Sequence, residues 1–218
     1  MLELGLKVFL SYLAGSINGA LLVGKFFGGV DIRKVGSGNA GGTNALRTQG
    51  KLFAFLVMVI DIGKGILPVI LLPGAALFGI GQDPDIDRAW LTFACGGAAI
   101  FGHCFPVWFD FAGGKGAATT IGVLGSVAPV TLLPACMVWI GALLIFGYVG
   151  LATVLASVAV PACLAVLDFA AYRDLIVFTS MVSVFIVYTH RSNLRKLISG
   201  QASRDIRFSL FGRLSGQA

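Results

Sequence analysis

Three short stretches concentrate the side chains able to do chemistry. They are "GSGNAGGTNALR" from Gly36 to Arg47, "GHCFPVWFDFAGGKGAAT" from Gly102 to Thr119, and "YTHRSNLRKL" from Tyr188 to Leu197. In the first, glycines such as Gly36 and Gly38 let successive N–H groups converge, a nest suited to phosphate oxygens. Ser37, Asn39, Thr43 and Asn44 add neutral donors and Arg47 a charged fork. Thr43 or Asn44 can also cap the short helix that Arg47 ends. In the second stretch Gly113, Gly114 and Gly116 bracket Lys115 at a helix start. Bare backbone, one ammonium and a helix dipole together make an anion the natural ligand. His103 is read either as capping the end of its own helix or as catalytic, the cap being the plainer reading. In the third, His190 and Asn193 are three apart and share a helix face. Arg191 and Arg195 turn to other faces, where anionic lipid attracts them.

Other readings of these residues fail on context. Gly36, Gly38 and Gly41 complete a G-x-G-x-x-G, and Asp61 follows about twenty residues on, as a ribose-binding acid would. That fingerprint needs a preceding strand and a βαβ unit. Here "DIRKV" precedes it, and Asp61 lies in an apolar run. "GALLVGKF" has P-loop spacing but ends in Phe26 where Ser or Thr must hold magnesium. No G-x-S-x-G elbow occurs, and Cys95, Cys104, Cys136 and Cys163 show no C-x-x-C spacing, so they read as small buried hydrophobes. No metal cluster is visible, and neither metal nor cofactor nor nucleic acid is expected.

The elements that must position these motifs lie in a membrane. Of the 218 residues, 57% are hydrophobic and 12% charged, with a mean hydropathy of +0.91, whereas soluble domains average about 25% charged. Runs such as Leu132 to Phe146, Leu151 to Leu167 and Leu175 to Tyr188 approach the roughly 20 apolar residues a spanning helix needs. The expected class is an all-α integral membrane protein. Seven segments can be drawn: Leu4 to Phe27; Lys51 to Phe78, interrupted by Gly63, Gly65 and Pro68; Trp90 to Phe101; a short helix from Lys115 to Val127; then 130–147, 149–167 and 173–190. Residues 1–200 read as one catalytic domain and 201–218 as a basic cytoplasmic tail. There "RDIRFSLFGRL" suits an interfacial helix. No cleavable leader is expected.

Orientation follows from charge. Arg33, Lys34, Arg47, Lys51, Lys115 and the tail arginines fall on one face of a seven-span layout, which the positive-inside rule makes cytoplasmic. Asp83, Asp85, Asp87, Asp168 and Asp174 fall on the other. The N-terminus is thus expected outside and the C-terminus inside. Asp61 and Lys64 form an i, i+3 pair inside a span, either functional or pinning helix packing.

The three motifs, in this order on this hydropathy profile, resemble the bacterial acyl-phosphate:glycerol-3-phosphate acyltransferase family (PlsY), from "YLAGSI" at 12–17 to "HRSNLRKLISG" at 190–200. The resemblance implies a seven-helix enzyme of the bacterial inner membrane with its site at the cytoplasmic face. Such an enzyme moves an acyl chain from acyl phosphate to the sn-1 hydroxyl of glycerol 3-phosphate, giving lysophosphatidate and phosphate. Carried over by position, the site includes Ser37, Asn39 and Arg47, then Gly113, Gly114, Lys115 and Gly116, then His190 and Asn193. The chain departs from the family pattern at Asn18, where proline is usual, and at Ala112 and Thr189, where lysine and arginine are. It departs again at Gly150, usually serine, and at Ala202, usually glutamate. The H-x-x-x-x-D mechanism of other acyltransferases is excluded, since Trp108 and Arg195 stand fifth after the two histidines.

An acyl phosphate already carries a good leaving group, so orientation and charge stabilisation suffice. Lys115, Arg47 and the glycine N–H groups would hold the phosphates, with Ser37 beside them. His190 or a substrate phosphate oxygen would take the hydroxyl proton. Membrane lipid would harbour the acyl chain. The competing reading is a small anion transporter, which should show paired broken helices in two repeated halves. The motifs here are unlike one another and all fall on one face.

Overall fold

The computed structural model describes residues 1–202 and, among them, folds ten α-helices and no strand. The expected interfacial helix of the tail lies outside the described residues. The helices group into two compact units, Met1–Val127 and a second beginning at Ala128. By length and composition four helices can cross a membrane: Lys51–Leu71, Arg88–Phe109, Pro129–Phe146 and Val149–Asp168. Two bent pairs raise this to as many as six, and Ala117–Val127 is a shorter apolar helix. Its 11 residues, at about 1.5 Å each, fall well short of a hydrocarbon core of about 30 Å.

The first unit contains α1 (Leu2–Gly15), α2 (Gly19–Phe26), α3 (Gly42–Thr48), α4 (Lys51–Leu71), α5 (Arg88–Cys104) and α6 (Ala117–Val127). The expected unbroken first span is instead two helices, bent by 46°. Asn18 causes the break: its Oδ1 accepts the Leu21 N–H and caps α2. The backbone groups freed at the break find charged partners. Lys64 Nζ donates to the Ile17 carbonyl at 2.9 Å, and the Gly19 N–H donates to Asp61 Oδ1 at 2.9 Å. Irregular backbone at membrane depth is tolerated only when satisfied in this way.

The second span shows the opposite correction. Gly63, Gly65 and Pro68 do not interrupt it, and α4 runs through all three. The two glycines do different work. A Cβ at Gly65 would run into the Thr119 carbonyl, and one at Gly122 into the Ile62 carbonyl, so α4 and α6 touch backbone to backbone. Small residues permit that approach where lipid supplies no hydrophobic drive. A Cβ at Gly63 would meet nothing within 4 Å.

Helices α1 and α5 pack in parallel. Near their starts Glu3 accepts from Lys7 Nζ at 2.6 Å and from Arg88 Nη1 at 2.6 Å, and Lys7 also donates to the Pro73 carbonyl. Near their ends the Tyr12 hydroxyl donates to the Phe105 carbonyl and Trp108 Nε1 to the Leu13 carbonyl. The loops bearing the first two motifs follow the C-terminal ends of α2 and α5. Asp83, Asp85 and Asp87 therefore lie at one end of this unit and the basic motifs at the other.

The second unit packs α7 (Leu132–Phe146) on α8 (Val149–Asp168) and α8 on α9 (Arg173–Thr189), with α10 (Arg191–Ile198) against α8 and α9. Its α7 exposes Leu133, Met137, Ile140 and Ile145, an apolar surface suited to lipid rather than water. Cys136 is also exposed there, and Cys163 partly so; Cys95 and Cys104 alone are the buried hydrophobes expected of all four.

Overpacking the α4–α6 contact should cost stability. Gly65→Leu or Gly122→Leu is expected to lose about 1–3 kcal/mol or more, read as a lower melting temperature in detergent. Gly63→Ala should leave melting unchanged or raise it slightly.

Candidate active site

The first motif is folded by its own side chains. Asp31 accepts the Arg33 N–H and pairs with the Arg33 guanidinium at 3.0 Å. That guanidinium holds the Asp31 carboxyl below the usual carboxylate range. The pair therefore persists at neutral pH and is lost only as pH falls through that lowered value. Deeper in the loop Asn44 is buried. Its Oδ1 accepts the Ser37 N–H at 2.9 Å, and its Nδ2 reaches the carbonyls of Ile32, Val35 and Asn39. Asn44 is thus the loop's internal brace, and its amide is not available to a phosphate. The residue capping α3 is Gly41, with no side-chain cap bond, so neither Thr43 nor Asn44 caps it; Thr43 is exposed.

The glycine nest is also revised. The N–H groups of Ser37, Gly38 and Gly41 are engaged within the loop, by Asn44 Oδ1 and by the carbonyls of Val35 and Asn39. In the second motif the Gly113 and Gly114 N–H groups donate to the carbonyls of Cys104 and His103, both at 3.1 Å. These glycines bind the loop to the end of α5 and do not present N–H groups to an anion. Helix α6 begins at Ala117, two residues after Lys115, and Gly116 turns the chain into it at φ +89°, a value glycine adopts readily. Gly36 and Gly38 take similar left-handed values, +59° and +73°. The side chains of the two motifs differ in exposure. Ser37 and Arg47 are exposed, the latter on the last turn of α3, while Asn39 and Lys115 are half-buried.

The fold brings the first two motifs together. Arg33 Nη1 donates to the Phe109 carbonyl at 3.0 Å and to that of Ala112 at 3.4 Å. A Cβ at Gly114 would collide with His103 Nε2 and lie 2.7 Å from the Ala40 carbonyl. The same carbonyl accepts from Asn18 Nδ2 at 3.2 Å. Arg33 and Asn18 escaped the sequence reading as site-building residues. The signals were present: D-x-R in a loop, and an Asn immediately before an apolar helix. His103 does not cap its helix by its ring. Its Nδ1 lies 3.4 Å from Asp61 Oδ1, and Lys64 Nζ is 2.8 Å from the same oxygen.

In the second unit His190 closes α9 and opens α10 across a 56° bend. Its Nδ1 lies 2.8 Å from the Ile186 carbonyl. A carbonyl only accepts, so Nδ1 carries a proton toward it, and in a neutral ring Nε2 would hold the lone pair. Asn193, one turn on, packs its amide against Gly150, where a Cβ would overlap Nδ2. Gly150 therefore makes room for this asparagine.

Residues 6–200 match the family model for glycerol-3-phosphate acyltransferase. The glycerol-3-phosphate acyltransferase of Chlorobaculum tepidum is 36% identical over 90% of this chain and 94% of its own. That of Chlorobium limicola is 37% identical over 94% and 97%. Among solved structures, PlsY (YgiH) in its glycerol 3-phosphate form superposes with a TM-score of 0.78 at 35% identity, covering 92% of this chain and 94% of that one. Its lysophosphatidic acid form gives 0.77 at 34%. The chain belongs to the glycerol-3-phosphate acyltransferase family, the PlsY family of integral membrane enzymes. It is a multi-pass membrane acyltransferase, which removes the transporter reading.

Asn44→Ala should lower the melting temperature by several degrees, because each buried group left unpaired costs about 1–3 kcal/mol. Thr43→Ala, with no cap bond to lose, should stay within about 0.5 kcal/mol. Thermal melts of both in one detergent make the comparison.

Proposed function

We propose that the enzyme transfers an acyl chain from acyl phosphate to the sn-1 hydroxyl of glycerol 3-phosphate, releasing lysophosphatidate and inorganic phosphate. The observation that carries this reading is the joining of the two basic motifs by Arg33, Gly114 and the Ala40 carbonyl. The loop that leads into α3 and Arg47 is thereby joined to the loop bearing Lys115, as a reaction between two phosphate-bearing substrates requires. The glycerol 3-phosphate and lysophosphatidic acid forms of the solved PlsY support the acceptor and product.

Lys115 and Arg47 bind the substrate phosphates, with Ser37 and Asn39 as neutral donors beside them. Gly36, Gly38, Gly113, Gly114 and Gly116 shape the loops. His190, whose Nδ1 proton is held by a carbonyl, offers Nε2 to the hydroxyl proton, and Asn193 assists it. That assignment draws on the family resemblance and on the tautomer. No acyl-enzyme forms, because the phosphate is expelled directly by the attacking hydroxyl. The chain crosses the bacterial inner membrane seven times with its N-terminus outside, the short α6 and the residues flanking it adding one crossing to the six that length and composition allow. The separation of Asp83, Asp85 and Asp87 from the basic loops in the first unit supports a cytoplasmic site. Residues 1–200 act as one catalytic domain, with the tail on the cytoplasmic side.

Purified enzyme in lipid should release phosphate from acyl phosphate and glycerol 3-phosphate, and should not use acyl-CoA. Comparable turnover with acyl-CoA would refute the donor assignment.

Lys115→Ala should lose a charge-assisted contact of roughly 1.5–3 kcal/mol, or about 10- to 150-fold in kcat/KM. Arg195→Ala, on the exposed side of α10, should change the rate by less than about threefold. The reverse ranking, at matched expression in the same lipid, would move the phosphate site to the third motif.

A further inference from the structure

Within the first unit one carboxylate oxygen gathers three helical elements. Asp61 Oδ1 on α4 accepts from Lys64 Nζ at 2.8 Å and from the Gly19 N–H at 2.9 Å, and His103 Nδ1 on α5 lies 3.4 Å away. Lys64 also donates to the Ile17 carbonyl, so the break between α1 and α2 is held at both of its exposed backbone groups. Asp61, Lys64 and His103 are all buried. Charges at this depth are costly and are retained for a purpose.

The other edge of the His103 ring faces Gly114. A Cβ there would overlap Nε2 and sit 2.9 Å from Cε1. The His103 carbonyl accepts the Gly114 N–H at 3.1 Å, and the next carbonyl, Cys104, accepts the Gly113 N–H. Both residues preceding Lys115 are therefore held by His103 and its neighbour, and the far side of Gly114 meets the Ala40 carbonyl. A lysine between glycines would otherwise range over many backbone conformers. Holding it in one place is what a phosphate-binding cation needs, because a site misplaced by about 1 Å can lose on the order of 100-fold in rate.

We propose that His103, aligned by the buried Asp61–Lys64 pair, is a positioning residue for Lys115. It touches no substrate: it fixes the Gly113–Gly114 backbone from which Lys115 projects. This inference rests on the reading of Lys115 as a phosphate-binding cation.

A double-mutant cycle tests it, with full-length enzyme in lipid assayed for phosphate release from acyl phosphate and glycerol 3-phosphate. The variants are Lys115→Ala, His103→Phe, which keeps a ring against Gly114 but removes the nitrogen facing Asp61, and the double variant. His103→Asn, whose amide nitrogen can stand where Nδ1 does, is the second variant should the phenylalanine impair folding. His103→Phe is expected to lower kcat/KM about tenfold. In the double variant it should add less than about threefold to the Lys115→Ala loss, and His103→Asn should recover part of the rate. A merely structural histidine would instead multiply its loss onto that of Lys115→Ala. Multiplied losses, or a wild-type rate for both His103 variants, would overturn the positioning role while leaving Lys115 as the phosphate cation. A wild-type rate for Lys115→Ala alone would sink the reading beneath it, whatever His103 did.

Discussion

A carboxylate inside an apolar helix must find its positive charge and its hydrogen bonds within the protein, since lipid supplies neither. Asp61 does so at one oxygen, Oδ1, which draws Lys64 from its own helix and the Gly19 N–H from the break between α1 and α2, with His103 of α5 at 3.4 Å. Such a pair is weak evidence for net stability, because two desolvated charges often do no better than apolar side chains of like volume. Its value is geometric. Removing either partner would strand a buried charge, so the break in the first span, the register of α4 and the end of α5 are tied to one arrangement.

From that arrangement the loops of the first unit acquire their shape. His103 and Cys104 hold Gly113 and Gly114, the Ala40 carbonyl lies against Gly114, and Asn18 holds that carbonyl from the start of α2. Arg33 bridges the first loop to the second through Phe109 and Ala112. Most glycines of the two motifs thus serve close contact between backbones, or turns such as that at Gly116. In the proposed function the anion falls to Arg47 at the end of α3 and to Lys115 and Ser37 on the constrained loops. This is the expected logic of a site that holds charged substrates by preorganised charges.

The second unit uses the same economy of space. Gly150 leaves room for the Asn193 amide, and the Ile186 carbonyl selects the tautomer of His190. Around these few polar groups the surface of α7 is apolar. The polar atoms are satisfied inward and the apolar ones face outward, as a hydrocarbon solvent demands.

Much of this was legible in the residues themselves. Apolar runs with few charges required membrane helices, because no other element satisfies its backbone in lipid. The grouping of glycines, hydroxyls and single cations pointed to an anion site, because converging N–H groups beside a cation suit phosphate oxygens. The order of the motifs identified the family. What could not be read was which partner each polar group would choose, since that depends on atoms distant in the chain. Asn44 looked like a phosphate donor, yet three carbonyls and an N–H lie within its reach once the loop closes. Gly65 looked like an interruption until α6 was seen to need its missing side chain. Asn18 looked like part of an unbroken span until its cap and the Asp61–Lys64 pair satisfied a break there. Residue types determined that charge must be compensated and backbone satisfied; only the tertiary structure decided by which neighbours, because hydrogen bonds and close contacts depend on distance in space, not along the chain.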